Sequence, residues 1–305
     1  MCALIFAAAR GQIRLSQDVN FWHQLLPETV VKTMDLRAII FLLLLQLVAL
    51  CYARPSWHQA VDNEDLVGPD EESITETILR INSGSSEYLL EGDIVILRGR
   101  AAMKCMNNEH SCFWPKSFTG KVEVPINIAD EYTNEEKVRI VHALREIQTR
   151  TCIRFPTRTT QKSYISFESK SGCSSQMGRM GYKQVVSLQR FGCVQKGIIQ
   201  HEVLHSLGFY HEHTRSNRDQ HILIHWDNIE KYGRQNFIKQ DTNNLNTPYD
   251  YSSLMHSGRT AFGINGAVTI TPIPDSSVEI GQRRHLSDLD IIRINRLYKC
   301  FHDEM

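Results

Sequence analysis

Hydrophobic and polar residues alternate with the period of a β-strand in the region that follows residue 120. Residues 122–128 read V-E-V-P-I-N-I, with an apolar side chain at every second position, as expected for a strand with one buried face. Three further short runs, C-I-R-F, Y-I-S-F and V-V-S-L, are rich in β-branched and aromatic residues. They predict strands at 152–155, 164–167 and 185–188.

Helices are predicted between these strands and after them. Thr133 and Glu136 have the spacing of a capping box, and Ser287-Asp-Leu-Asp starts the last helix. Apolar residues follow each start: Val138, Val141, Leu144 and Ile147 in the first helix, and Leu289, Ile292, Ile294 and Leu297 in the second. A further helix is predicted at 196–207, and the chain after it is loop-rich. This order predicts an α/β or α+β domain with two unequal halves.

The N-terminus has the pattern of targeting material. Arg37 precedes thirteen mostly apolar residues at 38–50, and Ala53 is a small residue at a cleavage point. Thirteen helical residues rise only about 20 Å, which is short of a hydrocarbon core of about 30 Å. We therefore expect a signal peptide at 34–53 and secretion, with a retained membrane anchor as the alternative. Residues 1–33 are then a spurious extension upstream of Met34.

An acidic leader follows the signal. Segment 54–100 has ten acidic and four basic residues (net −6), and segment 101–305 has 21 acidic and 26 basic residues (net +5). Apart from a short helical pattern around 74–81, the leader has too few apolar residues for a core of its own. Arg98-Gly-Arg100 offers a trypsin-like protease a cleavage point, although it is also compatible with a solvated loop. We interpret 54–100 as a propeptide and 101–305 as one domain.

Charge and cysteine content narrow the class of protein. Basic and acidic residues both number 34, which gives no sign of nucleic-acid binding or of stable membrane association. Six cysteines follow the signal, at positions 105, 112, 152, 173, 193 and 300. An even number in a secreted domain predicts disulfides with fifteen possible connectivities, and the paired knuckles of a zinc ribbon are missing.

The strongest chemical signal is the histidine-rich stretch Q-H-E-V-L-H-S-L-G-F-Y-H-E-H at 200–213. His201 and His205 are four residues apart on the predicted helix, so they share one face and can bind one ion. A continued helix would carry His211 about 9 Å beyond His205. Gly208 can end the helix in the left-handed conformation and bring His211 back as a third ligand.

Three imidazoles with one open position are typical of catalytic rather than structural zinc. Such an ion lowers the pKa of a bound water, and Glu202 is placed to deprotonate it as general base. The predicted reaction is hydrolysis of a polarised carbonyl, most naturally a peptide bond. A polar helix face and a purely structural zinc site are the alternatives. Later histidines, such as His213, are interpreted as solvated or structural.

The motif residues resemble those of the astacin family of metzincin proteases. H-E-V-L-H-S-L-G-F-Y-H-E-H-T-R matches its extended zinc motif, and Y-S-S-L-M-H at 251–256 resembles its Met-turn, with Met255 as the methionine. The likeness spans the mature region and is greatest to the six-cysteine hatching-enzyme subgroup of choriolysin and nephrosin types. It implies an α+β fold, with a mostly parallel twisted sheet and two long helices, then a cleft and a loop-rich half with a final helix.

The resemblance also implies covalent and regulatory features. It implies the disulfides Cys152–Cys300, Cys173–Cys193 and Cys105–Cys112. Leu90-Glu-Gly-Asp93 resembles the propeptide element whose aspartate ligates zinc in the zymogen, so Asp93 is the implied switch, relieved by cleavage after Arg100. The implied protein is a secreted monomer, stored in secretory granules and activated by a trypsin-like protease, with one Zn²⁺ per chain. Its implied substrates are egg-envelope or other extracellular proteins.

One position departs from the family pattern. The astacin Met-turn continues M-H-Y, whose tyrosine stabilises the oxyanion, but this chain has Met255-His256-Ser257. A serine hydroxyl lies too close to the backbone to replace the phenol. Losing one such donor costs on the order of 10²–10³ in rate. The alternative to an active endopeptidase is therefore a zinc-loaded but catalytically weak homologue that acts as a binding protein.

Overall fold

The computed structural model describes residues 73–85, 88–95, 112–282 and 284–300. The α-helices of this part are α1 (Ile74–Asn82), α2 (Asn134–Arg150), α3 (Lys196–Ser206) and α4 (Asp288–Leu297). Capping boxes begin α1, α2 and α4, including the one predicted from Thr133 and Glu136. Among the described residues, no helix combines the length and apolar character needed to cross a membrane.

A six-stranded sheet forms the centre of the fold. Its strands are β1 (Leu89–Leu90), β2 (Ile94–Val95), β4 (Ile126–Ile128), β6 (Tyr164–Glu168), β7 (Cys173–Ser175) and β8 (Lys183–Leu188). They lie in the order β1-β2-β7-β8-β6-β4. Three of the five neighbour pairs are parallel, namely β2 with β7, β8 with β6, and β6 with β4, which confirms the prediction of a mostly parallel sheet in an α+β fold.

Two small sheets flank the large one. Strand β3 (Val122–Glu123) pairs in parallel with β5 (Ile153–Arg154), and β9 (Ile222–Ile224) pairs antiparallel with β10 (Ile270–Pro272). The run at 122–128, predicted as one strand, is therefore two strands with different partners. Pro125 stands between them and has no N–H to donate to a continuous ladder.

Helix α2 buries a different face from the one predicted. Leu144 and Ile147 are buried as expected, together with Ile140 and Ala143, but Val138 is 61% and Val141 51% exposed. The predicted residues follow one another in steps of three, and each step falls about 60° short of a full turn. Four such residues spread over half the helix circumference. The buried set has the spacing i, i+3, i+4, i+7 and therefore forms a single stripe.

The described chain has two hydrophobic cores. The larger lies where α3 packs against α2, β7 and β8, and includes Ile140, Phe167, Ile198 and Leu204. The smaller core lies in the loop-rich region after α3 and is formed by Ile222, Ile224, Ile229, Phe237, Tyr249 and Ile270. This division matches the predicted two unequal halves.

Disulfides tie the helices to the sheet. Cys152 is bonded to Cys300, which closes a loop of 148 residues, and Cys173 is bonded to Cys193. These are the pairs that the family resemblance implies. Cys112 is also disulfide-bonded, but Cys105 lies outside the described residues. The Cys173–Cys193 bond joins the first residue of β7 to the segment that leads into α3, so it fixes the approach to the histidine-bearing helix.

Residues 73–85 and 88–95, part of the predicted propeptide, pack onto the sheet and α3. Helix α1 contacts α3 and β7, and β2 extends the sheet by pairing with β7. Asn82 joins the two parts, because its Nδ2 donates to the carbonyls of both Gly92 (2.8 Å) and Cys173 (2.7 Å). This docking places the turn at 91–93 against the histidine-rich region.

Candidate metal centre

Helix α3 carries the first two histidines of the site. His201, Glu202 and His205 are all fully buried, and the imidazole rings of His201 and His205 lie one turn apart with centroids separated by 4.8 Å. The helix ends at Ser206. Gly208 then has a φ of +101°, and a Cβ at this position would lie 3.1 Å from the Phe113 ring, so the turn requires glycine.

The third histidine returns to the same place after this turn. The His211 ring centroid is 5.0 Å from that of His201 and 4.8 Å from that of His205. The Nε2 atoms of His201 and His211 are only 3.1 Å apart. The structure therefore brings together the three histidines that the sequence singled out as ligands.

Each histidine is oriented through its Nδ1 atom. The Nδ1 of His201 lies 3.1 Å from the Leu254 carbonyl and that of His205 lies 2.8 Å from the Phe209 carbonyl. His211 Nδ1 lies 2.8 Å from a carboxylate oxygen of Glu91. Because these partners only accept hydrogen bonds, all three Nδ1 atoms carry the hydrogen. The Nε2 lone pairs are then free to bind a metal, as in other histidine metal sites.

Asp93 brings a carboxylate to the same point. Its Oδ2 is 3.0 Å from His201 Nε2 and 3.3 Å from His211 Nε2, and its Oδ1 is 3.3 Å from His205 Nε2. The ligand atoms of these four residues lie within 4.8 Å of one another, and within the described part of the chain neither Asp93 Oδ1 nor His205 Nε2, both buried, has a hydrogen-bond partner. Converging lone pairs with unpaired buried atoms fit a metal cation, and three imidazoles with one further position suit zinc.

The electrostatics of the cluster are set by burial and by its two carboxylates. Burial lowers the pKa of His201 to about 4. Burial also acts to lower the pKa of His211, but Asp93 and Glu91 outweigh it and raise this pKa to about 10. Burial alone would raise the pKa of Asp93, yet the neighbouring histidines hold it well below its usual range. The acidic groups therefore make this buried cluster attractive to positive charge.

Glu202 has a different environment from Asp93. It is fully buried, and neither carboxylate oxygen has a hydrogen-bond partner among the described residues. Burial raises the pKa of Glu202 well above its usual range, and the charge of Asp93 adds to the effect. A carboxylate with no other bond, next in sequence to a ligand histidine, is available to exchange a proton with a reacting group.

Comparison with known proteins places this site in a family. The peptidase family described as "Astacin" matches residues 107–299. The chain belongs to the astacin family. Two relatives from Oryzias latipes are the low choriolytic enzyme, 50% identical over 271 residues, and the high choriolytic enzyme 1, 48% identical over 276 residues. Each match covers 88% of this chain and 100% of the relative.

A solved structure agrees with this membership. The medaka high choriolytic enzyme 1, described as a hatching enzyme zinc-protease, superposes with a TM-score of 0.63 at 52% identity, covering 66% of this chain and 100% of that one. The protein is thus an astacin-family metalloendopeptidase that resembles hatching enzymes, and it acts on protein substrates. Its metal is zinc, for which the three histidines and Asp93 form a fitting group.

The predicted Met-turn contacts both ends of the predicted ligand set. Met255 is buried, and its carbonyl accepts a hydrogen bond from the backbone N–H of Glu212, the residue after His211 (2.9 Å). The carbonyl of the preceding residue, Leu254, accepts from His201 Nδ1. The turn therefore supports the first and third histidines together.

The Ser257 hydroxyl bonds to a histidine outside the predicted ligand set. Its side chain is fully buried, and its hydroxyl lies 2.8 Å from Nδ1 of His213. The Nε2 of His213 lies 3.0 Å from the Asn236 carbonyl, so Nε2 carries the hydrogen and Ser257 is the donor. His213, which the sequence left as solvated or structural, is fully buried and hydrogen-bonded on both sides.

Glu91 is a site residue that the sequence analysis missed. Its buried carboxylate accepts from the backbone N–H of His211 (3.2 Å) as well as from Nδ1, and Gln240 Nε2 donates to its other oxygen (3.0 Å). The Glu91 backbone N–H donates to Asn236 Oδ1 (2.9 Å). The available signal was a second acid two residues before Asp93 in the L-E-G-D element.

Glu212 is a second buried carboxylate whose partners were not predicted from the sequence. Arg293 of α4 donates to both of its oxygens, at 2.7 and 2.8 Å, and Arg215 donates at 3.0 Å. The backbone N–H of Asp250 adds a fourth bond of 2.8 Å. The residue after the third histidine is thereby tied to the last helix.

Replacing Arg293 with methionine should lower the free energy of unfolding by about 3–5 kcal/mol, since removing one partner of a buried ion pair leaves a charge uncompensated. Arg296→Met is the matched control, because Arg296 is an exposed residue of the same helix that donates to the carbonyls of Leu245 and Asn246. The control should cost less than about 1 kcal/mol. Denaturant unfolding measures both, and equal losses would contradict a structural role for the Glu212–Arg293 pair.

Proposed function

We propose that the protein is a secreted zinc endopeptidase synthesised as a zymogen. The observation that carries this proposal is the Asp93 carboxylate, which lies 3.0–3.3 Å from the Nε2 atoms of all three histidines. A residue from the leader segment thus occupies the position that a reacting group needs. The matching experiment compares hydrolysis of an unfolded protein by the full chain and by residues 101–305.

The proposed zinc ligands in the active enzyme are His201, His205 and His211, with Met255 beneath them. These histidines would hold zinc, which when bound would supply polarisation of the scissile carbonyl and a lowered pKa for a water molecule. Glu202 takes the proton of the attacking water as general base and then gives it to the leaving amine as general acid. Its buried carboxylate, which has no hydrogen-bond partner among the residues that the structure describes, supports this assignment. The oxygen atoms that accept hydrogen bonds from Nδ1 hold the three rings in the tautomer whose Nε2 is free to bind the ion.

Maturation is proposed to occur by cleavage after Arg100, by a trypsin-like protease. Arg100 lies outside the described residues, as do the signal at 34–53 and the extension at 1–33. The docking of β2 supports an inhibitory role for the leader, because Ser175 N donates to the Asp93 carbonyl (3.0 Å) and Ile94 pairs with Ser175. Removal of 54–100 would withdraw both Asp93 and Glu91 from the site.

Asp93→Ala in an uncleavable full chain, with Arg98 and Arg100 also changed to alanine, should release proteolytic activity without processing. The reason is that the alanine leaves the metal position open while the rest of the leader is unchanged. The measurement is the hydrolysis rate of a denatured protein, against a parent chain that carries only the two arginine changes.

Glu76→Ala is the control for the Asp93 variant. Glu76 is an acid of the same leader segment, but it contacts Thr260 and its own helix cap. We expect this control chain to stay as inactive as the parent. An Asp93→Ala chain that binds zinc and remains inert would rule out Asp93 as the block.

The proposed substrates are egg-envelope proteins or other extracellular proteins. Their support is the similarity to the choriolytic enzymes. We further propose a secreted monomer, stored in secretory granules before release. Incubating isolated egg envelopes with residues 101–305 and measuring released peptides tests the substrate class, and sedimentation of the same material tests the monomer.

A second candidate function is a zinc-loaded binding protein with little turnover. The observation in its favour is that the Ser257 hydroxyl is engaged by His213 at 2.8 Å and so offers no donor to a substrate carbonyl. Substitution of Ser257 distinguishes the two candidates.

A further inference from the structure

We propose that Ser253 and Asp290 are positioning residues of the metal centre, acting on His201 through the Met-turn peptide. The inference rests on His201 being a zinc ligand, as proposed above. It concerns residues that lie behind the ligands and touch neither the substrate nor the metal.

A continuous row of hydrogen bonds joins the two ends. The Ser253 hydroxyl donates to Asp290 Oδ1 (2.6 Å) and accepts from the backbone N–H of Met255 (3.1 Å). That N–H belongs to the same peptide group as the Leu254 carbonyl. The carbonyl in turn accepts from His201 Nδ1 (3.1 Å). Every link is buried, since Ser253 and His201 are 0% exposed and Asp290 is 4% exposed.

All the donors in this row of hydrogen bonds point in the same direction. Each hydrogen points toward Asp290, so the carboxylate polarises the hydroxyl, the hydroxyl polarises the peptide, and the carbonyl becomes a stronger acceptor for His201. A carboxylate bonded directly to a ligand histidine fixes the ring and makes it a better metal ligand. Here the same effect is transmitted through a serine and a peptide group.

Helix capping is the competing explanation for Asp290. The residue completes the capping box of α4, because its Oδ2 accepts from Ser287 N (3.0 Å) and its own N–H donates to Ser287 Oγ (2.9 Å). Capping uses only one carboxylate oxygen. The other oxygen, Oδ1, bonds to Ser253, and Oδ2 also accepts from Leu254 N (2.9 Å). The bonds from Ser253 and Leu254 lie outside the capping box, so capping alone does not account for the buried carboxylate of Asp290.

Two serine-to-alanine variants of the full chain separate these roles. Ser253→Ala interrupts the row between Asp290 and Met255, whereas Ser287→Ala removes the cap hydroxyl and its bond to Asp250 but leaves the row intact. Competition with a chromophoric chelator measures zinc affinity. We expect about tenfold weaker zinc binding for Ser253→Ala, as for other residues behind metal ligands. For Ser287→Ala, zinc affinity should change by less than about twofold, and the expected effect is instead a lower thermal stability.

A spectroscopic readout and a second variant complete the test. The visible absorption of the Co²⁺-substituted chain should shift in Ser253→Ala and stay unchanged in Ser287→Ala. Asp290→Asn, which keeps the side-chain shape, should weaken zinc binding at least as much as Ser253→Ala. If Ser253→Ala does not fold, the zinc affinity of Asp290→Asn tests the inference. Equal zinc affinity in wild type, Ser253→Ala and Asp290→Asn would overturn this inference alone. A wild-type chain that binds no zinc would instead overturn the proposed function.

Discussion

Glu202→Gln in residues 101–305 should lower kcat for protein hydrolysis by about 10²–10⁴-fold, the contribution typical of a positioned general base. Glutamine keeps the shape of the side chain but cannot accept a proton. Glu202 is fully buried without a hydrogen-bond partner among the described residues, so the substitution breaks no structural bond of the carboxylate. Zinc content should therefore stay at one ion per chain while turnover is lost. Initial rates on a denatured protein, with metal analysis of the same sample, measure both quantities.

Glu146→Gln is the matched control for this prediction. Glu146 is a partly buried carboxylate of α2 that accepts from Gln200 Nε2 (2.9 Å) and pairs with Lys196 (3.2 Å). It lies beside the same helix as Glu202 but makes structural bonds, so its replacement should lower stability and leave kcat within about twofold of wild type. If Glu202→Gln retains more than a tenth of wild-type kcat with zinc bound, the general base is another group.

Local patterns explain why much of the fold could be predicted. The capping box at Thr133 and Glu136 involves residues three apart, and the spacing of His201 and His205 follows from one helical turn. Such signals are complete within a short stretch of sequence and do not depend on the rest of the chain. The error on α2 arose from a local pattern as well, because apolar residues at steps of three suggested one stripe, although the i, i+3, i+4, i+7 spacing of the buried set is also present in the sequence.

Contacts between distant residues account for what the sequence did not predict. Glu91 bonds to Asn236 and Gln240, 145 and 149 positions away, and Glu212 bonds to Arg293, 81 positions away. Neither pairing follows a helical or strand period. The buried acid Glu91 stood in the sequence as one acid among many in an acidic leader. Only the folded chain distinguishes Glu91 from the other acids of the leader, because its stabilisation depends on hydrogen-bond donors of His211 and Gln240.

His213 illustrates the same limit at the metal centre. Its sequence position two residues after a ligand is compatible with either solvent or the core. The structure buries it between Ser257 and Asn236, and burial lowers its pKa well below the usual value, with the charge of His211 adding to the effect. A neutral His213 can accept from Ser257 through Nδ1 while Nε2 donates. Ser257, which stands where the family pattern has tyrosine, therefore makes a hydrogen bond to His213.

Ser257→Tyr in residues 101–305 should raise kcat by about 10²–10³-fold with little change in KM, because a phenol supplies a donor that acts only when charge develops on the carbonyl oxygen. The wild-type serine hydroxyl donates to His213 at 2.8 Å and is fully buried. It therefore contributes nothing to that oxygen. Ser257→Phe, with the same ring and no hydroxyl, is the control and should give no gain.

Ser257→Ala separates catalysis from stability at this position. Removing the hydroxyl leaves Nδ1 of buried His213 without its donor, at a cost of about 1–3 kcal/mol in unfolding free energy, while kcat should stay within about twofold of wild type. A hundredfold gain in Ser257→Tyr from a wild type with measurable turnover identifies a protease that works without its full oxyanion support. Turnover that appears in Ser257→Tyr when the wild type has none detectable identifies the binding protein. If tyrosine and phenylalanine behave alike, the prediction is wrong and another group already supplies the donor.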